Sequence, residues 1–544
     1  MTFKIKPVTL KRRSAANKNT RPGKRPNIIV ITTDHHSNTA LASNGFNRHS
    51  PGSDRLANEG VAFTHATTTT EMCGPARCAM QTGMFPNYLG VPNNRWAGKG
   101  VKTQLLPPGC GIKTLPDYFK PAGYTCGFVG KLHMSGNPLE YGYDDFSNNN
   151  FKGRGKNRYF SSRTYAEYQK LKKVDFAAKP PVIDQTENAL RYCHEDECYA
   201  MSGRLVNYTR EHTYTACNFD EGKRMISCYK KLKNPFVVHI NLDLAPHWPY
   251  IVPEPYASMY KADDFKPWAN FRDPLSKHPL RSKISQNIWR TNDEPWERWA
   301  ESLAKYYGLC AMVEDEANEL LTFLDDENLS ENSIVIWTAD HGAVNGAHGI
   351  FDKDFRMVDE IYRIPLLVRW PMGNLAAGKR SSALVHNADI LPTIMELSGI
   401  SVPETMQCKS FVPALRGEEQ MRGEIDFAFW SNGGDPSMLA TVRAIRTHDF
   451  KYVFNAGDID EFYDLKKDPA ELENVIDEPA YAEEVKNLRK LMHQVLTETD
   501  DFCLPFARER LLGCKEKTSS APLAHYLETP NDFGLRTNCP WHFK

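Results

Sequence analysis

Cys73 opens the string Cys73-Gly74-Pro75-Ala76-Arg77, which is closed by Thr82-Gly83. A thiol acts as a nucleophile or metal ligand only as its thiolate, so two readings stand at this point: a reactive group, or a buried structural cysteine before a helix. Pro75 suits a first helical turn and Gly83 a helix stop, which predicts a short helix from Pro75 to about Thr82. Free backbone N–H groups and the helix dipole would then favour an anion beside Cys73. Other groups capable of chemistry are Asp34, the run Asp340-His341-Gly342, Lys131 with His133, and His247 within Pro246-His247-Trp248-Pro249. Two carboxylates with an imidazole are a plausible set of ligands for one cation.

The elements that must carry these residues are short, apolar and β-branched. Asn27–Thr33 reads as a buried parallel strand and Asp34 follows it directly; Ser333–Ala339 repeats the design and ends in Asp340. Thr125–Val129 leads through Gly130 into Lys131, and Phe236–Leu242 leads through Asp243 towards His247. Ligands of open α/β sheets bind in the crevice beyond the carboxyl ends of strands, so Asp34, Asp340 and His341 can converge there. Between Ala300 and Leu324, apolar residues at helical spacing predict a crossover helix feeding the Ser333 strand. Past Pro413–Gly417 the pattern changes. Four short segments, Ile425–Trp430, Ala440–Arg446, Lys451–Phe454 and Glu461–Leu465, read as an antiparallel sheet, and Tyr481–Leu496 as an amphipathic helix.

Cys-x-Pro-x-Arg followed by Thr-Gly, then Gly-Lys-x-His, Pro-His-x-Pro and Asp-His-Gly in that chain order, resembles the type I sulfatase family. The resemblance runs from about Arg25 to about Leu496 and includes Phe351-Asp352-Lys353, similar to the family's segment with an active-site lysine. It implies an α/β, alkaline phosphatase-like fold: a mixed, mostly parallel sheet flanked by helices, with a smaller C-terminal domain of antiparallel sheet plus helix. It also implies that Cys73 is oxidised by a formylglycine-generating enzyme to formylglycine, whose aldehyde hydrate attacks a sulfate ester. On that basis the metal ligands are Asp34, Asp340, His341 and the modified Cys73, and the ion is calcium, with manganese or magnesium as alternatives. Arg77 would hold the hydrate, His247 and Lys353 would contact the leaving-group oxygen or the sulfate, and Lys131 and His133 would serve sulfate release. The substrate would be a small-molecule or carbohydrate sulfate ester.

Two positions depart from the family pattern. His35 stands where most members have Asp or Gln, and is either an extra ligand or a group behind the ligands. His341 stands where Asn is common, which resembles the branch of phosphonate monoester hydrolases and choline sulfatases. Phosphonate or phosphodiester cleavage is therefore an alternative, as is a catalytically silent binding protein whose Cys73 is never oxidised. A zinc site on Cys193, His194 and Cys198 is a further reading, but the sequence offers no second pair at zinc spacing.

Composition adds limits. The chain has 544 residues, with 67 basic and 67 acidic side chains. That length predicts two domains, and the charge balance argues against nucleic acid as a partner. We expect a basic disordered arm at 1–25, a catalytic domain at 26–417, a small domain at 418–499 and a tail at 500–544. No apolar leader core opens the sequence and no apolar run is long enough to span a membrane, so a cytoplasmic location is expected, with export open. Thirteen scattered cysteines fit reduced thiols.

Overall fold

The computed structural model describes residues 25–512 other than 41–47, 92, 95, 98–100, 103–104, 149–151, 155–162, 174–178, 186–187, 195–196, 290, 292, 354–355, 419–426 and 433–440. The basic arm up to residue 24 and all of the tail beyond 512 thus lie outside the described residues, as do the side chains of Cys193, His194 and Cys198.

Nine strands form the main sheet: β1 (Asn27–Thr33), β2 (Gly60–Phe63), β3 (Thr125–Gly130), β4 (Asp145–Ser147), β5 (Lys152–Arg154), β6 (Phe236–Asn241), β7 (Ser333–Ala339), β8 (Leu366–Arg369) and β9 (Lys379–Ser381). Their spatial order is β9-β2-β8-β7-β1-β6-β3-β4-β5. The run from β7 to β4 is parallel, while β8 and β5 pair antiparallel. β1 is buried at every residue because both of its faces are covered, which is why it reads as an unbroken apolar run. Ile29 and Ile31 face α1 (Pro51–Glu59), α3 (Tyr214–Lys230) and α4 (Trp296–Asp326), whereas Ile28 and Val30 face α2 (Cys73–Thr82) and α5 (Ile390–Leu397).

The second, antiparallel sheet is built from β10 (Ala428–Asn432), β11 (Val442–Arg446), β12 (Phe450–Asn455) and β13 (Glu461–Asp464). It packs on α6 (Ala482–Glu498) and α7 (Leu504–Leu512) through Ile445, Tyr452, Phe462, Leu488, Met492, Ala507 and Leu511. Residues 500–512 continue this layer. Buried Asp501 accepts two hydrogen bonds from Arg443 at 2.7 and 2.9 Å, a bidentate pair that ties the segment to β11. No described helix is long and apolar enough to cross a membrane, and the described cysteines form no disulfide.

Candidate active site

β1 lies between β6 and β7 in parallel register, with Thr32 level with both Asn241 and Thr338, so the residues following these strands emerge side by side. Asp34 and Asp340 both leave at this edge and are completely buried. Lys131 arrives through Gly130, whose φ of +88° and whose hypothetical Cβ, 1.8 Å from Asn241 O, admit only glycine. Gly342 after His341 is needed for a related reason, because a Cβ there would meet Glu360 O at 2.2 Å.

Cys73 is the first residue of α2, two residues earlier than the expected helix, and Gly83 ends the helix at φ +67° with its N–H bonded to Ala79 O. The thiol is buried. Its Sγ lies 3.0 Å from His341 Nε2, 3.0 Å from Lys353 Nζ and 3.8 Å from Asp34 Oδ1. Burial opposes ionisation of Cys73, yet the charges of Lys353, Lys131 and His341, with a hydrogen bond from His133, outweigh it and hold the thiol well below its ordinary range. Whatever atom stands at the Sγ position is in a field that favours negative charge.

Arg77, one helical turn further on, is fully engaged. Nε donates to Asp340 Oδ2 at 2.9 Å and an Nη to Asp34 Oδ2 at 3.2 Å, while the fork also reaches Lys131 O, Asn241 Oδ1 and Leu242 O. Its donors clamp the two carboxylates and the strand ends. Lys131 Nζ donates to the same Asp34 Oδ2 at 2.6 Å. Burial and the Cys73 charge push the Asp34 carboxyl up, and Lys131, His247 and Arg77 pull it far below the usual carboxylate range. Asp340 is raised instead, by burial and by neighbouring Asp34.

Four imidazoles and a lysine complete the site. His341 Nδ1 donates to Gly342 O at 2.8 Å, which turns the Nε2 lone pair inward. His35 is completely buried at φ 61°, its Nδ1 3.1 Å from Asp352 Oδ1. Burial first, then the charges of His247, Lys353 and His341, hold His35 well below its ordinary range, so it is a neutral donor. Lys353 Nζ sits 2.9 Å from His35 Nε2 and 3.1 Å from His341 Nε2. The His247 ring lies tilted 4.0 Å from the His35 ring, with Nδ1 given to Trp248 O, so its other nitrogen is the one available for proton transfer. His133 is half-buried at φ 52°.

Asp34, His35, Cys73 and His341 offer donor atoms all within 4.8 Å of one another. Asp340 stands at the edge of that set, its Oδ1 3.8 Å from His341 Nε2. The residues fit a divalent cation: buried carboxylates and inward-facing imidazole lone pairs surround a position next to which the Lys353 ammonium already lies. Sequence reasoning missed three participants. Asn94 Oδ1 accepts from Gly74 N at 2.8 Å and fixes the start of α2; Asn241 accepts from Arg77; Asp352 backs His35. Asn241, at the end of β6, carried the strand-end signal that identified Asp34, whereas Asn94 lies in an irregular segment without any periodic signal.

The family model described as Sulfatase matches residues 26–400, and one described as N-sulphoglucosamine sulphohydrolase, C-terminal, matches 346–498. N-acetylglucosamine-6-O-sulfatase of Bacteroides thetaiotaomicron is 26% identical, the match covering 90% of this chain and 89% of that protein. A solved structure in complex with its substrate D-glucosamine-2-N,6-O-disulfate superposes with a TM-score of 0.67 at 22% identity, covering 88% of this chain and 99% of its own. Phosphonate monoester hydrolase of Agrobacterium radiobacter superposes with a TM-score of 0.68 at 22% identity, covering 87% and 96%.

Proposed function

Because the chain belongs to the sulfatase family, and is by that membership a sulfuric ester hydrolase, we propose that it removes sulfate from a carbohydrate sulfate monoester, with Cys73 in its oxidised, formylglycine form as nucleophile. The observation that carries this reading is the convergence of Lys353, His341 and His133 on the Cys73 Sγ position at the start of α2, an arrangement built for anionic oxygen. The relative acting on N-acetylglucosamine sulfate and the structure holding a disulfated glucosamine support the carbohydrate class.

Each residue has a task that follows from its place. The α2 N-terminus, Lys131 and Lys353 bind and orient the sulfate oxygens. Arg77 keeps Asp34 and Asp340 ionised and fixed. His247 gives a proton to the departing alcohol oxygen as its bond to sulfur breaks, and His133 takes a proton from Cys73's side when sulfate leaves. Hydrated formylglycine supplies an oxygen nucleophile that can later expel sulfate by elimination, which an ordinary hydroxyl cannot do. A divalent cation held by Asp34, Asp340, His341 and His35 would polarise a sulfate oxygen and favour the ionised nucleophile.

The alternative of phosphonate ester cleavage is favoured by His341 and is separated by one comparison. Initial rates on 6-sulfated N-acetylglucosamine, choline sulfate, an aryl sulfate and an aryl phosphonate monoester should give the highest kcat/KM on the sugar sulfate. A higher value on the phosphonate would overturn the proposal.

A further inference from the structure

His35 is the residue that separates this site from an ordinary oxygen-rich one. Its backbone is held in the left-handed region by two bonds through one side chain: Tyr306 Oη donates to His35 O at 3.0 Å and accepts from Ser37 N at 3.1 Å. A non-glycine residue in that region costs on the order of 1 kcal/mol or more, so the surroundings over-determine its position. The ring is then aimed by Asp352. His35 Nδ1 and Asp352 Oδ1 are both buried and lie 3.1 Å apart. Asp352 is itself fixed, at φ 66°, by the hydrogen bond from Val344 N to its carbonyl at 2.8 Å. With Nδ1 turned towards a carboxylate, the Nε2 lone pair of His35 faces the cation position, as that of His341 does through Gly342 O.

We infer that Asp352 is a positioning residue that makes His35 a second imidazole donor, and that the cation position therefore takes a borderline first-row transition ion in preference to calcium. This rests on the reading that the site holds a divalent cation. Calcium takes six to eight oxygen ligands in flexible arrangements, whereas imidazole nitrogen suits manganese, iron, cobalt or zinc. Two imidazole nitrogens in a set completed by two carboxylates and the modified Cys73 suit such an ion better than calcium, so the calcium expected from the family resemblance gives way.

The test is direct competition in the full-length protein. Metal-stripped enzyme is equilibrated with equal concentrations of Ca2+ and Mn2+, the bound ions are counted by elemental mass spectrometry, and pulsed electron paramagnetic resonance on the Mn2+ form counts coupled 14N nuclei. We expect Mn2+ retained at least tenfold over Ca2+, with two nitrogen couplings. His35→Gln should lose one coupling and most of the preference. Asp352→Ala should keep the ring but weaken Mn2+ binding by about 10- to 100-fold, with Ca2+ binding little changed. Melting temperatures of the stripped variants show whether each folds, and if Asp352→Ala does not, the wild type and His35→Gln still decide. Retention of Ca2+ over Mn2+, or a single nitrogen coupling in the wild type, overturns the inference while leaving the cation-assisted reading intact; binding of neither ion overturns both.

Discussion

Replacing Arg77 by methionine keeps the length of the stem and removes the fork. Two carboxylates with no solvent exposure, Asp34 and Asp340, then lose charge-assisted hydrogen bonds of 3.2 and 2.9 Å, and three further acceptors lose a donor. Breaking a buried pair by removing one partner costs about 3–5 kcal/mol, because the remaining charge has no compensation. Unfolding entropy of about 2.1 cal/mol/K per residue, over a matched region spanning residues 26–400, gives roughly 0.8 kcal/mol/K, so the expected fall in Tm is about 5 °C. Arg77→Lys retains a charge that can reach one carboxylate but not span both, and should fall about half as far. Differential scanning fluorimetry in chelator reads the shift, and turnover of a sulfate ester should drop about 100-fold in both variants as the carboxylates move. A Tm for Arg77→Met within about 1 °C of the wild type would refute the clamp.

His247→Gln should slow cleavage of an alkyl sulfate by about 10²- to 10⁴-fold and spare an activated nitrophenyl sulfate, whose leaving group needs no proton; equal losses on both would exclude His247 as the acid. A stability effect is expected far from the chemistry at Glu314. Burial pushes this carboxyl from 4.5 to about 7 despite hydrogen bonds from Ser53 N and Oγ at 2.7 and 2.6 Å. A folded-state value above the unfolded one means the fold binds the proton more tightly, so stability present below about pH 4.5 is lost as pH rises to about 7 and levels off beyond it. The loss is on the order of 3 kcal/mol, and Glu314→Gln should remove that part of the pH dependence of Tm. A variant with the wild-type pH profile would contradict the assignment.

The strand ends were legible because a parallel sheet covered on both faces produces short apolar runs, and the polar residue that ends each run stands out. Asp34, Lys131 and Asp340 were found that way, and the long crossover helix by its period. The four C-terminal strands were located within a few residues, since turns punctuate them. What Arg77 holds could not be read, because a helix position gives a direction and not the partners brought in from β1, β3, β6 and β7. Asp352 and Asn94 were invisible as participants for a different reason. Both sit in irregular segments fixed by contacts made only after folding, and that of Asp352 contains the left-handed residues Asn345, His348 and Asp352 itself. Helix α7 lacked a strong amphipathic signal, and Asp501 just before it is held to β11 by Arg443.

The proposed nucleophile is the oxidised form of residue 73, whose chemical state mass spectrometry of the tryptic peptide Leu56 to Arg77 reads directly. Protein made in a host with an active formylglycine-generating enzyme should carry an aldehyde at that position, and sulfatase activity should track the aldehyde fraction between preparations. A thiol at position 73 in fully active protein would contradict the proposed nucleophile.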